Sequence, residues 1–185
     1  FCVMIAWYVV QVHQTKYLTE IGFSSIVAAW SLGAVSVVAI PGQIALGALS
    51  DRLGREWIWT VACAGFVVCY AALIGLEHAP SYALLYLMVI SQGFLGYAVT
   101  SVMGAIVAEI FEGPHYGSIF GTTTVALTGG GAAGPWIAGI MHDATGSYRL
   151  AFLLTIGCCV VSAASVWIAA PRKVRAVPGG VAARC

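Results

Sequence analysis

The sequence predicts an all-α integral membrane fold of six transmembrane helices, and three observations lead there. Hydrophobic residues make up 61% of the 185 residues and charged residues only 8%, whereas a soluble domain carries about 25% charged residues. Six apolar stretches approach the length needed to cross a bilayer, about 20 residues each. Nearly all the charge falls in the short breaks between them. So little charge cannot make a water-facing surface; in lipid that need disappears. A mean hydropathy of +0.94 agrees.

The spans are expected at residues 1–13 (a helix entered partway), 24–49, 57–76, 82–108, 118–141 and 150–170. The breaks lie at 16–22, 51–56, 77–81, 109–117 and 142–149. Residues 1–10 have neither an initiating Met nor a charged n-region, so they read as part of a span, not a signal peptide, and the chain reads as a fragment. No strand alternation survives, and the runs are too long for barrel strands. Residues 1–170 therefore read as one transmembrane bundle, and residues 171–185, rich in Gly, Ala and Arg, as a disordered tail. Six spans put both ends on one side. Arg52, Arg55, Arg172, Lys173, Arg175 and Arg184 fall on that side, against Lys16 and Arg149 on the other, so both termini are expected in the cytoplasm of a cell-membrane protein.

Composition also narrows the function classes. A net charge of +1 with no basic cluster gives no nucleic-acid surface. Cys2, Cys63, Cys69, Cys158 and Cys159 sit in apolar runs and read as small hydrophobes; Cys185, in the tail, is the cysteine expected to react. No zinc-type pairing of Cys and His occurs. His13, His78, His115 and His142 lie in different segments, with no catalytic arrangement. No cofactor, metal or catalytic residue is expected, and the partners are lipid and a small-molecule solute.

The end of the second span holds the densest motif: Gly47, Asp51, Arg52, Gly54 and Arg55, spaced G-x-x-x-D-R-x-G-R. Gly47 allows close helix approach, and Gly54 suits a turn with positive φ. Asp51 can accept backbone N–H groups or pair with Arg. The pattern recurs. Gly42, Gly47, Asp51 and Gly54 reappear as Gly134, Gly139, Asp143 and Gly146, each offset by the same 92 residues. One copy joins spans two and three, the other spans five and six on the opposite side. Residues 1–78 and 79–170 are thus expected to form two three-helix repeats of inverted topology, a transporter signature. Pro41-Gly42 and Gly134-Pro135 lie at near-equivalent depth.

These residues resemble a known family. The stretch from Gly47 to Arg55 is similar to the signature loop of the major facilitator superfamily. Residues 17–24, Ala108-Glu109-Ile110-Phe111 and the stretch from Asp143 to Arg149 look like its monocarboxylate-transporter-like members. The resemblance reaches to about Pro171. It implies the C-terminal six-helix half of a secondary transporter, working by alternating access with a missing N-terminal six-helix half. It implies proton-coupled transport of a small organic solute, such as an organic anion or monocarboxylate. Asp51 and Arg55 would help latch the two halves. One departure stands out: several monocarboxylate carriers place an Asp and an Arg inside the counterpart of the second span, which here has no charge between Ser24 and Leu49.

The resemblance also makes the first and fourth spans line the solute cavity. Gln11, His13 and Gln14 are then candidates, with Ser91, Gln92 and Tyr97 opposite. Trp30, Gln43 and Trp136 could also face it. Each has a structural alternative: Gln92 as a bond between helices, His13 as an interfacial residue. Trp57, Trp59, Tyr82 and Trp167 suit an interfacial belt. A six-span channel or a structural membrane subunit remains the alternative function.

Overall fold

The computed structural model describes residues 1–111 and 113–169. The predicted tail and Cys185 lie outside the described residues. Among the described residues six helical rods follow in order: α1 (Cys2–Glu20), α2 (Ser25–Leu53), α3 (Arg55–His78), α4 (Tyr82–Ile110), α5 (Tyr116–Thr145) and α6 (Arg149–Ala169). By length and composition, α2, α3, α4 and α6 can cross a membrane. Gln11, His13, Gln14 and Lys16 dilute the apolar character of α1, as Gly and Thr do that of α5.

The helix ends are set locally. Ser24 caps α2, its Oγ accepting from the Val27 N–H at 3.3 Å; Ser81 caps α4 by accepting from Ala83 N–H at 3.2 Å. Gly146 ends α5 in the left-handed region at φ 70°. Between α2 and α3 lies Gly54 alone, at φ 107°. The expected break at 51–56 is therefore mostly helix: charge marks where the chain meets polar surroundings, but backbone hydrogen bonding continues past that boundary.

α4 is not uniform. Its regular ends flank a π turn at Ser91–Leu95 and a 3₁₀ turn at Gly96–Ala98. Here neighbouring backbones press closest. A Cβ on Gly42 of α2 would collide with the backbone carbonyl of Phe94. One on Gly65 of α3 would sit 2.8 Å from the carbonyl oxygen of Ser91. The helices pair as α1 with α5, α2 with α4 and α3 with α6, while α1 also touches α6 and α3 touches α4. In the second crossing, a Cβ on Gly134 of α5 would lie 3.0 Å from both Cα and carbonyl oxygen of Ile5 on α1.

Large side chains fill the space these crossings enclose. Tyr70, Phe66, Leu73, Leu18, Tyr148 and Phe152 are fully buried. Two buried tyrosine hydroxyls are satisfied by backbone: Tyr17 donates to the carbonyl of Leu73 at 2.6 Å, and Tyr70 to that of Ala6. α2 and α5 remain the least covered, with Val37, Ile40 and Ile44 on one and Val125, Trp136 and Ile140 on the other exposed.

Gly42→Ala should therefore destabilise the solubilised protein by about 1–3 kcal/mol through overpacking. Gly33→Ala, whose Cβ meets nothing within 4 Å, should stay within about 0.5 kcal/mol. Thermal unfolding of the two variants side by side measures the difference.

Candidate functional site

The π turn decides what faces the middle of the bundle. Such a turn inserts an extra residue and rotates the side chains that follow. Gln92 lies within it and is fully buried. Its Oε1 is 4.0 Å from the Cys69 thiol. Its amide also approaches the Tyr97 hydroxyl, yet Nε2 has no hydrogen bond of good geometry. Tyr97, beyond the π turn, donates its hydroxyl to Oε1 of Gln11 on α1. Its ring stacks on Trp7, one turn before Gln11, with centroids 4.0 Å apart and planes at 12°. Trp7 in turn leans on Phe66 of α3 at 6.1 Å. Gln11 is half-buried and is flanked by the exposed Tyr8 and Val12. The Thr100 hydroxyl lies 3.0 Å from Gln43 Oε1 and 2.8 Å from the Tyr97 carbonyl, linking α2 to the same segment. The constellation offers two amides, a phenol and an indole face, with no charged side chain among them.

The other candidates are placed elsewhere. Gln14 is 1% exposed and donates to Ser31 Oγ at 3.1 Å, tying α1 to α2. Ser91 donates to the carbonyl of Met88 at 3.1 Å, within its own helix. His13 is engaged at both ring nitrogens. Nε2 lies 3.0 Å from the carbonyl oxygen of Pro135, which can only accept, so Nε2 carries the proton. Nδ1 lies 3.1 Å from the Tyr148 hydroxyl. His13 thus bonds α1 to α5 and to the α5–α6 turn. Trp30 is exposed on a cleft of about 320 Å³ between α2 and α4, beside Tyr82 and Tyr86. Trp136 is exposed on α5.

The sequence reading missed Trp7, although its i, i+4 spacing from Gln11 puts both on one helix face. Cys69 carried no local signal of its place beside Gln92.

At the α2–α3 junction the motif closes around Arg55. Its Nη2 is 2.5 Å from Oδ1 of Asp51 one turn earlier. Its Nε donates to Oε1 of Glu109 at 3.0 Å. Its Nη1 donates to Ser50 Oγ, while the Ser50 hydroxyl donates to the Gly47 carbonyl at 2.5 Å. The planar guanidinium thus fastens the end of α2 to the end of α4. Gly47 permits the approach, since its Cβ would stand 3.3 Å from Ser101 Cβ. Arg52 is exposed. In the second copy, Gly146 is the α5 cap, Asp143 is exposed, and Gly139 meets nothing within 4 Å. Glu109, missed as a partner, is acidic at the end of the span that the topology brings to this side.

Apolar helices joined by backbone-close crossings around a neutral polar centre define a multi-pass membrane protein. The model of the Major Facilitator Superfamily matches residues 1–183, and the chain belongs to that superfamily. It is 30% identical over 149 residues to monocarboxylate transporter 12 of Rattus norvegicus, covering 77% of this chain and 30% of that protein. It is 23% identical over 170 residues to monocarboxylate transporter 13 of the same organism, covering 89% and 38%. It is 28% identical over 140 residues to myo-inositol transporter 1A of Cryptococcus neoformans, covering 74% and 24%. The chain spans about a third of the length of the two monocarboxylate transporters.

Removing the Arg55 fork should be felt at the helix ends. Arg55→Ala should cost about 1–3 kcal/mol, and Arg55→Lys should recover only part, because an ammonium cannot bond several acceptors in one plane. A thermal-unfolding double-mutant cycle with Glu109→Gln should give a positive coupling that shrinks in 1 M salt.

Proposed function

We propose that this chain is the C-terminal half of a secondary transporter, whose six helices all span the membrane as two three-helix repeats of opposite orientation. With a second six-helix half it moves a small organic solute across the cell membrane by alternating access. The observation that carries this reading is the neutral polar centre of Gln11, Gln92 and Tyr97, because polar side chains at membrane depth are costly and mark solute pathways. Two helices build it, α1 and α4, each the first of its repeat.

The helix pairing supports the repeats. Exchanging the first three helices for the last three turns the α2–α4 crossing into the α5–α1 crossing and returns the α3–α6 pair to itself. Gly42 and Gly134, 92 residues apart, are both at backbone contacts. The Arg52 and Arg55 end supports a cytoplasmic position for that face, and with it cytoplasmic termini. Asp51, Arg55 and Glu109 hold the cytoplasmic ends of α2 and α4 together against the second half.

The chemistry favours a solute gripped by hydrogen bonds and an aromatic surface. Two amides and a phenol offer donors and acceptors, and the stacked Trp7–Tyr97 pair offers an apolar wall. An organic acid fits this uncharged centre best in company with a proton, which removes the cost of an unpaired anion at low dielectric. Relatives named as transporters of monocarboxylate and of myo-inositol lend the small-solute reading further support.

Uptake by the full-length protein tests this. Gln11→Ala combined with Gln92→Ala should reduce uptake about tenfold or more, since each lost hydrogen bond is worth about 1 kcal/mol. Tyr97→Phe should fall between that variant and the parent. Unchanged, saturable uptake would remove these residues from the pathway, and ion current without saturable flux would favour a channel.

A further inference from the structure

The α2–α4 seam is tight at one level and open at another. At the tight level a Cβ on Gly93 of α4 would lie 2.6 Å from the carbonyl oxygen of Val35 on α2. Toward the first turns of both helices the cleft of about 320 Å³ lies between them. α2 lines it with Trp30, Ser31 and Ala34, and α4 with Tyr82, Tyr86 and Val89, at the i, i+3 and i+4 spacings of one helix face. Trp30, Tyr82 and Tyr86 are exposed and form the rim, whereas Ser31 and Val89 are buried and form the floor. Phe23, ahead of α2, meets the Tyr82 ring edge-on at 5.8 Å.

A mostly apolar recess with a few fixed polar groups is the usual form of a small-molecule site. None of the lining residues is charged. Among the described residues, the Trp30 indole N–H and the Tyr82 and Tyr86 hydroxyls make no hydrogen bond within the chain. The Ser31 hydroxyl donates to the Ala28 carbonyl at 2.8 Å and accepts from Gln14 at 3.1 Å, which leaves one lone pair for a donor in the cleft. Gln14, 1% exposed, holds its own Oε1 beside Ser31 without a partner. Rings that only anchor a bilayer interface need no recess between them. A lipid tail would fill the recess but leave its polar groups unpaired. A flat ring with a donor at one end and an acceptor at the other uses all of them. The donor meets Ser31 at the floor, the ring lies against the rim aromatics, and the acceptor meets the indole N–H and the phenols. Gln14 stands one turn beyond Gln11 on the same face of α1, so the cleft borders the polar centre.

We propose that the α2–α4 cleft is a ring-binding subsite for an aromatic solute that carries a hydrogen-bond donor on its ring and an acidic group opposite. Trp30 and Tyr86 hold the ring, and Ser31, backed by Gln14, takes the donor. Binding there makes and breaks no covalent bond. The contact of Gly93 with Val35 closes the seam below, so the occupant is stopped at this level, beside Gln14. The place of the subsite on a solute path rests on the transport reading; the cleft itself is tested by binding alone.

The test is equilibrium binding of radiolabelled para-hydroxyphenylacetate to the full-length protein in lipid nanodiscs, with protein-free nanodiscs subtracted. Binding should saturate. Cyclohexylacetate, of similar bulk but without a flat π face or a ring hydroxyl, should compete about fivefold more weakly or worse. Trp30→Ala and Tyr86→Ala should each raise the dissociation constant about fivefold. Both side chains are exposed, so both variants should keep the parent's melting temperature. Saturable binding that responds in this way supports the cleft even where the Gln11 and Gln92 variants leave uptake unchanged. Absence of saturable binding overturns the proposal whatever uptake shows. Binding that both variants leave intact overturns it too, as does equal or stronger competition by decanoate, the mark of an acyl-chain groove.

Discussion

The molecule depends on two places where one helix backbone lies directly against another. At Gly42 on Phe94 and at Gly134 on Ile5 there is no room for a side chain. In lipid the hydrophobic effect gives apolar helices little reason to associate, so close packing and internal hydrogen bonds carry the bundle. Glycine supplies the closeness. It also brings polar backbone near polar backbone, where dispersion contacts are densest. The partner helices then have fixed positions from which larger side chains can interlock, as Tyr70, Phe66 and Phe152 do.

The α2–α4 crossing has a chemical consequence. Where Gly42 and Gly65 press on α4, that helix widens into a π turn and then tightens into a 3₁₀ turn. The change in winding sets the angular relation between Gln92 in the π turn and Tyr97 in the 3₁₀ turn. Gln92 then lies beside Cys69, and Tyr97 beside Trp7 and Gln11, in one uncharged polar centre. An evenly wound helix would have spread these side chains around its axis. Packing strain and site geometry are thus one feature.

The two ends of the bundle are fastened differently. At one, Arg55 joins Asp51 and Glu109, and its guanidinium keeps its charge at any physiological pH. At the other, His142 of α5 stands 3.3 Å from Glu20 of α1, beside the exposed Asp143.

The sequence by itself determined the all-helical class, the breaks between apolar runs, the positive-φ turn at Gly54, and the 92-residue recurrence of Gly42, Asp51 and their neighbours. These follow from local rules: hydropathy over a span, conformational freedom at a turn, spacing along one helix. It placed Gln11, Gln92 and Tyr97 in one pool of candidates but could not separate them from Gln14 and His13. Only the tertiary structure decided that Gln14 bonds to Ser31, that His13 is spent on Pro135 and Tyr148, and that Glu109 belongs to Arg55. The reason is angular. Hydropathy records that a residue is at membrane depth, not which way it turns. That direction is set by helix rotation and by the irregular winding of α4, which arise where separate helices meet.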